Sequence, residues 1–292
     1  MSFSVDFREK SVKMKRTWGI FEMMSNKFIK FTVLTFLFLF WFQNLSADWV
    51  DNQLKHLSLG ERASLRHFFG TVIKEDHLGH VLFFSNKPAC FGGGFIKGER
   101  SLDKKLFMKG WRVWKAKEHL FPHSDYIIHD EVVDFGGENV ALHIYFINKK
   151  TLLETLMRQE EKLREGLGKD FSKEVFVRNL EQGNLFPLID ADQALLGILL
   201  GYGVESSVAF RQNDEAKQKK GDLIHPVEVI FCTSKKEFLV HPVTFMGNPE
   251  SDEVKSLQEK YGQELEKINE IYLRRDLLKI SLQALCGVQP ND

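Results

Sequence analysis

Cys90 is followed, one residue on, by three glycines, Gly92, Gly93 and Gly94. A thiolate nucleophile needs a nearby imidazole and backbone N–H groups aimed at a developing oxyanion. Glycines can expose such groups, so a cysteine-dependent hydrolase using Cys90 is one reading of these residues. Ten histidines are present, and no spacing selects one of them as the base. The segment also lacks the local signatures of cysteine proteases. His77 and His80 stand three apart beside Asp76, a spacing that shares a metal when it lies on a helix. His80 reads here as the start of a strand, no third ligand follows, and His-Glu-x-x-His and Cys-x-x-Cys patterns are absent. No metal and no cofactor are expected. His129-Asp130-Glu131 falls inside a strand pattern, where side chains alternate between faces. His129 is the second candidate for acid–base chemistry, against the blander reading of an apolar-flanked structural imidazole. Gly92–Gly94 lack the Lys-Ser/Thr that would complete a phosphate loop. Asp190 and Asp192 precede an apolar run and read as helix caps more readily than as a cation site.

The elements that must position these residues follow from periodicity and punctuation. Residues 48–70 read as a first helix, with Ser58 and Glu61 spaced as a capping box. His80–Lys87 reads as a strand, ended by Pro88 and a loop over Phe91–Phe95. Ser101–His119 reads as a helix carrying Leu106, Trp111 and Trp114, closed by Pro122. Tyr126–Val133 and Asn139–Asn148 form the clearest hairpin, and apolar residues on both faces of the second strand predict that it is central. Thr151–Gly166 and Phe171–Leu180 read as helices, the first amphipathic with a solvated charged face. Leu195–Tyr202 is apolar enough for the core or for the wall of an apolar pocket; Gly201 and Gly203 mark its end, and Val204–Lys217 reads as a further helix. Val227–Cys232 and Phe238–Val243 read as two more strands. Ser251 caps a long final helix with a seam at Val254, Leu257, Tyr261, Leu265, Ile268 and Tyr272. The fold class expected is α+β: a central, mainly antiparallel sheet packed by several helices, with a long C-terminal helix.

The front of the chain carries an address. Phe31–Phe42 holds twelve uncharged residues, five of them Phe, preceded by Lys27 and Lys30 and followed by Gln43-Asn44-Leu45-Ser46-Ala47 and then Asp48. A basic lead, an apolar run of roughly 7–15 residues and a small-residue boundary define a secretory signal. Cleavage is expected between Ala47 and Asp48, giving an exported, periplasmic or secreted protein. Extending the run to the length of a membrane span requires including Lys30, Gln43 and Asn44; uncleaved, residues 28–45 would anchor the chain in the inner membrane. Met24 begins a more ordinary signal than Met1 does, so residues 1–23 read as a misplaced start or an unstructured lead, 24–47 as the signal and 48–292 as one α+β domain.

Composition bounds the rest. The chain carries 40 basic and 40 acidic residues. Residues 1–47 hold seven basic and three acidic side chains, leaving 33 and 37 over the other 245. So balanced a field is a poor match for nucleic acid. Three cysteines, Cys90, Cys232 and Cys286, make no disulfide scaffold; one bridge or three thiols both fit.

Leu196-Gly-Ile-Leu-Leu-Gly-Tyr-Gly203, the segment Leu82-Phe-Phe-Ser-Asn-Lys-Pro88 and the charged final helix resemble a set of exported proteins of unknown function in chlamydia-like and other intracellular bacteria, over about residues 60–285. The resemblance implies a setting, the bacterial envelope or the secreted space, and assigns no activity to any residue. The function expected is binding of a protein partner or envelope component after export; the alternative is a hydrolase using Cys90.

Overall fold

The computed structural model describes residues 49–95, 101–134, 140–167, 172–183, 185, 192–217 and 239–288. The signal segment, the cleavage boundary at Ala47 and Asp48, the 227–232 strand, Asp190 and Cys232 lie outside them. The chain divides at Trp49/Val50, and the fold is that of the unit from Val50 onward.

Helix α1 spans 49–55 and α2 Leu59–Lys74. Ser58 starts α2 through the expected capping box: its hydroxyl accepts from the Glu61 N–H, while the Glu61 carboxylate accepts from the Ser58 N–H. A short helix α3, Leu78–Phe83, replaces the strand expected over His80–Lys87. Leu78, Val81 and Leu82 are spaced i, i+3, i+4 and all three are buried, a helical pattern that a short apolar run conceals. The glycine run predicted as a loop is strand β1, Ala89–Phe95. Its backbone pairs along β3 from Ala89↔Ile147 to Phe95↔Ala141. Gly93 has φ +144°, with the Leu142 carbonyl where a Cβ would stand, so this strand needs glycine where strands normally avoid it.

Helix α4, Leu102–Lys117, precedes β2, Tyr126–Asp134, and β3, Val140–Asn148. The sheet order is β1-β3-β2, antiparallel throughout, so β3 is central as its two apolar faces require. One face packs on α2 and α4: Phe146 lies 6.1 Å and 6.4 Å from the rings of Phe68 and Phe69, which in turn meet Phe107, Trp111 and Trp114. Gly110 lets the two helices touch, since a Cβ there would come within 2.4 Å of the Ser64 carbonyl. The other face buries Ala89, Ile127, Tyr145 and Ile147 in one cluster with Leu152, Leu156, Leu163, Phe176, Leu195 and Leu199.

Those partners come from α5, Lys149–Arg158; α6, Glu160–Leu167; α7, Lys173–Glu181; and α8, Gln193–Leu199. The helix expected over 151–166 is broken at Gln159. Helix α9 is Val204–Lys217 and α10 is Asp252–Tyr272, with Val254, Tyr261, Leu265, Ile268 and Tyr272 of the expected seam buried. A last helix, α11, Leu277–Leu285, capped by Asp276, was not anticipated. The described part of the strand expected at Phe238–Val243 is irregular. Val240, Val243 and Phe245 are buried in the core, at steps of three and then two residues. The backbone, however, bonds singly, His241 N–H to the Lys74 carbonyl and Leu239 N–H to Asn269, so this chain is a strap and not a ladder strand. The result is α+β, as expected, with helices on both faces of a three-stranded antiparallel sheet.

Candidate functional site

The apolar run Leu195–Tyr202 ends in a turn that several distant groups hold. Asp192 caps α8, accepting from the N–H groups of Ala194 (2.8 Å) and Leu195 (3.2 Å), and pairs with Arg211 of α9 at 2.8 Å. Gly201 and Gly203 take φ of +81° and +83°, which lets the chain reverse into α9. Tyr261 of α10 donates to the Gly201 carbonyl at 2.6 Å. The Glu253 carboxylate accepts from the N–H groups of Val204, Glu205 and Ser206 at 2.8, 2.8 and 3.3 Å. A residue of one helix thereby caps the start of another.

The fourth hold is the least expected. Lys87 is buried to 1 % exposure, and lysine is rarely enclosed unless it is paired. Its ammonium donates to the Leu200 carbonyl at 2.8 Å and stands 4.5 Å over the ring of Tyr202. Burial brings its pKa down to about 8, with Cys90 and Glu264 pulling the other way. Tyr202 stacks on Phe245 of the strap at 5.6 Å and 13°. Behind the lysine, Glu264 of α10 accepts from His80 Nδ1 at 2.7 Å and from Asn86 at 2.5 Å. His80 is itself fully buried, which lowers its pKa.

In front of this pinned turn lies a cleft of about 240 Å³. Leu196, Leu200, Tyr202, Phe210, Phe245 and Met246 form most of it, with Phe91 of β1 at 36 % exposure on its rim. Its polar lining is Gln193, Ser206 and Ser207, and no described residue lining it is charged. The sequence marked Leu195–Tyr202 as core or pocket wall; the helix, the turn and the strap together make it both.

The candidate catalytic residues fare differently. Cys90 is buried in β1, and burial raises its thiol well above the ordinary value, Lys87 offsetting only part of this. A protonated, enclosed thiol lacks the thiolate and access that nucleophilic catalysis requires. Neither neighbouring histidine engages it. His77 Nε2 pairs with the Pro242 carbonyl at 3.1 Å, while His80 directs Nδ1 at Glu264 and its Nε2 has no hydrogen-bond partner among the described residues. Cys90 and Cys286 are free thiols. His129 sits half-buried on β2 with its ring against Gly183, where a Cβ would come within 2.0 Å of it. Gly183 belongs to the turn after α7, so the contact is one of packing between layers. Asp76 abuts Gly92: a Cβ there would lie 2.3 Å from Oδ2. Its carboxyl rises to about 7, through burial first and Glu75 second. No group of three His, Cys, Asp or Glu among the described residues is placed to hold a metal.

Lys87, Phe210, Phe245 and Glu264 were not singled out from the sequence as site residues. Glu264 had a readable signal: it falls three after Tyr261 and four before Ile268, an acid on the apolar seam of an amphipathic helix. Lys87 had none, because its burial follows from the irregular chain between α3 and β1. Comparison with protein-family profiles, with curated proteins and with solved structures found no match.

Proposed function

We propose that this is an exported, non-catalytic binding protein that receives an apolar group of a partner, a protein or an envelope component, in the cleft between α8, α9 and the 239–250 strap. The observation that carries the reading is the cleft itself: an uncharged, largely apolar concavity of about 240 Å³ with four aromatic rings in its lining, whose rear wall is pinned by four groups from other parts of the chain. Binding sites are concave, mostly apolar and largely preformed, and a wall fixed before contact lowers the ordering cost of association. Export rests on the Phe31–Phe42 run and its flanks. The balanced charge leaves nucleic acid without a role. The hydrolase alternative draws no support from Cys90 as placed.

Two measurements test the two halves of the reading. The full chain, expressed from its own start in a bacterium and recovered by fractionation, should yield a mature N-terminus at Asp48 in the exported fraction; intact chain confined to the cytosol refutes export. The purified protein should bind the neutral fluorophore 1-N-phenylnaphthylamine by inserting one of its ring systems into the cleft, with a blue-shifted emission, and Met246→Arg should abolish it. No emission change in wild type, or an unchanged one in the variant, refutes the cleft as the binding site.

A further inference from the structure

The cleft also specifies what enters it, and we infer that its occupant is a neutral aromatic side chain presented by a protein partner, an indole or phenyl ring on a polypeptide. The inference rests on the cleft being the binding site, as proposed above.

Three observations set the chemistry. The first is charge. No described lining residue is ionised, so a charged occupant would lose its hydration with no counter-ion in return. Behind the wall the buried ammonium of Lys87 stands 4.5 Å from the centre of the Tyr202 ring; it opposes a second cation in particular. The second is shape. The walls include the rings of Phe91, Tyr202, Phe210 and Phe245. Tyr202 and Phe245 are stacked at 13° before any occupant arrives, a preset pair of aromatic surfaces. Rings prefer offset or edge-to-face partners, each such pair adding to simple burial, so this cleft favours a ring over an aliphatic branch of equal area.

The third is size. At the interior packing density of about 0.74, a volume of 240 Å³ encloses roughly ten to fourteen carbon-sized atoms. That suits one indole or phenyl side chain with its methylene. It falls below the roughly 300–1,000 Å³ of sites that take small ligands whole. Aromatic side chains in desolvated pockets are also enriched among the residues that dominate the centres of protein interfaces. Phe91, 36 % exposed on the rim, leaves apolar surface beside the mouth for the residues flanking such an anchor.

The test displaces 1-N-phenylnaphthylamine from the whole mature protein with blocked pentapeptides Gly-Gly-X-Gly-Gly, where X is Trp, Leu or Lys, and with free indole. The Trp peptide should displace the fluorophore at roughly tenfold lower concentration than the Leu peptide, the size expected of two aromatic pairs. The Lys peptide should not displace it, and free indole should be weaker than the Trp peptide. Equal potency of Trp and Leu overturns the aromatic assignment. Displacement by Lys overturns the charge argument. Indole as potent as the Trp peptide, or a Trp peptide that fails to displace, overturns the presented side chain. In each of these cases the fluorophore still reports a working cleft. A fluorophore that never binds overturns the cleft reading instead. Phe210→Ala, which removes a wall ring without adding charge, should reduce the Trp preference over Leu. An unchanged preference counts against ring recognition even if Met246→Arg fails to fold.

Discussion

Replacing Lys87 by Met isolates the energetics of the buried ammonium. In the folded chain its pKa lies near 8, against 10.5 for the free side chain, and burial is the main cause. Between those values the unfolded chain binds the proton that the folded chain has released. Stability from this group therefore rises with pH across the window from 8 to 10.5. At about 1.4 kcal/mol per unit, a shift of 2.5 units makes the protein about 3 kcal/mol less stable at pH 7 than it would be with the amine neutral. Lys87→Met removes that cost. It also leaves the Leu200 carbonyl without its donor, a loss of about 1–3 kcal/mol. The two effects nearly cancel at pH 7, so the variant should match or slightly exceed wild type there. Near pH 10 wild type has regained all but about 1 kcal/mol of its deficit, so the variant should be less stable by up to about 2 kcal/mol. The assay is urea unfolding followed by far-ultraviolet circular dichroism at one-unit steps from pH 7 to 10, on both proteins. Taking the difference between them removes titrating groups that are not coupled to Lys87, such as Cys286, whose raised thiol opposes the trend above pH 9. A difference that stays flat within about 0.5 kcal/mol over the range, a third of the roughly 1.4 kcal/mol expected per unit, refutes the enclosed ammonium.

Asp76→Asn should make the fold acid-sensitive. His77, neutral in the fold with a pKa near 3 through burial, contributes stability that is present above pH 6.5 and lost on acidification. Asp76, raised to about 7, contributes stability present below 3.8 and lost as pH rises through 7. The two oppose each other between pH 6.5 and 4, and the variant should lose about 3 kcal/mol more than wild type over that span in the same unfolding assay. Glu253→Ala deprives three N–H groups at the start of α9 of their acceptor. It should cost about 0.5–2 kcal/mol and speed hydrogen exchange at Val204 to Ser206; unaltered exchange there contradicts the cap. Gly110→Ala drives a methyl into the Ser64 carbonyl and the Phe68 Cβ and should destabilise by about 1–3 kcal/mol, seen as a lower urea midpoint with unchanged slope. Thiol labelling of the native protein should modify Cys286 before Cys90, since Cys90 is buried and Cys286 only partly so. Faster labelling of Cys90 would revive its candidacy as a nucleophile.

Much of this architecture was legible in the linear chain wherever the signal is local. The Ser58–Glu61 box, the β2–β3 hairpin, the Asp192 cap, the Gly201–Gly203 turn and the α10 seam each depend on residues a few positions apart, and periodicity or capping chemistry states them directly. The α+β class and the central place of β3 follow from the same local patterns. The misreadings share one cause: a short apolar or glycine-rich stretch takes its conformation from its neighbours. Leu78–Phe83 is helical because Gly79 packs on Ile268 of α10. The Gly92–Gly94 run is a strand because β3 supplies its ladder. The strap buries apolar residues as a strand would but has single backbone bonds in place of a ladder.

What the sequence by itself determined is the capped and amphipathic helices, though not α3 or α11, and the hairpin, together with the identity of the apolar stretch that walls the cleft. The tertiary structure decided the site: it set Phe91, Tyr202, Phe210 and Phe245 around one cavity, enclosed Lys87 behind Tyr202 and shut the Cys90 thiol away. Lys87 and Leu200 are 113 positions apart, and Glu253 and Val204 are 49 apart. Burial and long-range pairing are properties of the packed chain, because enclosure comes from neighbours that no stretch of sequence contains.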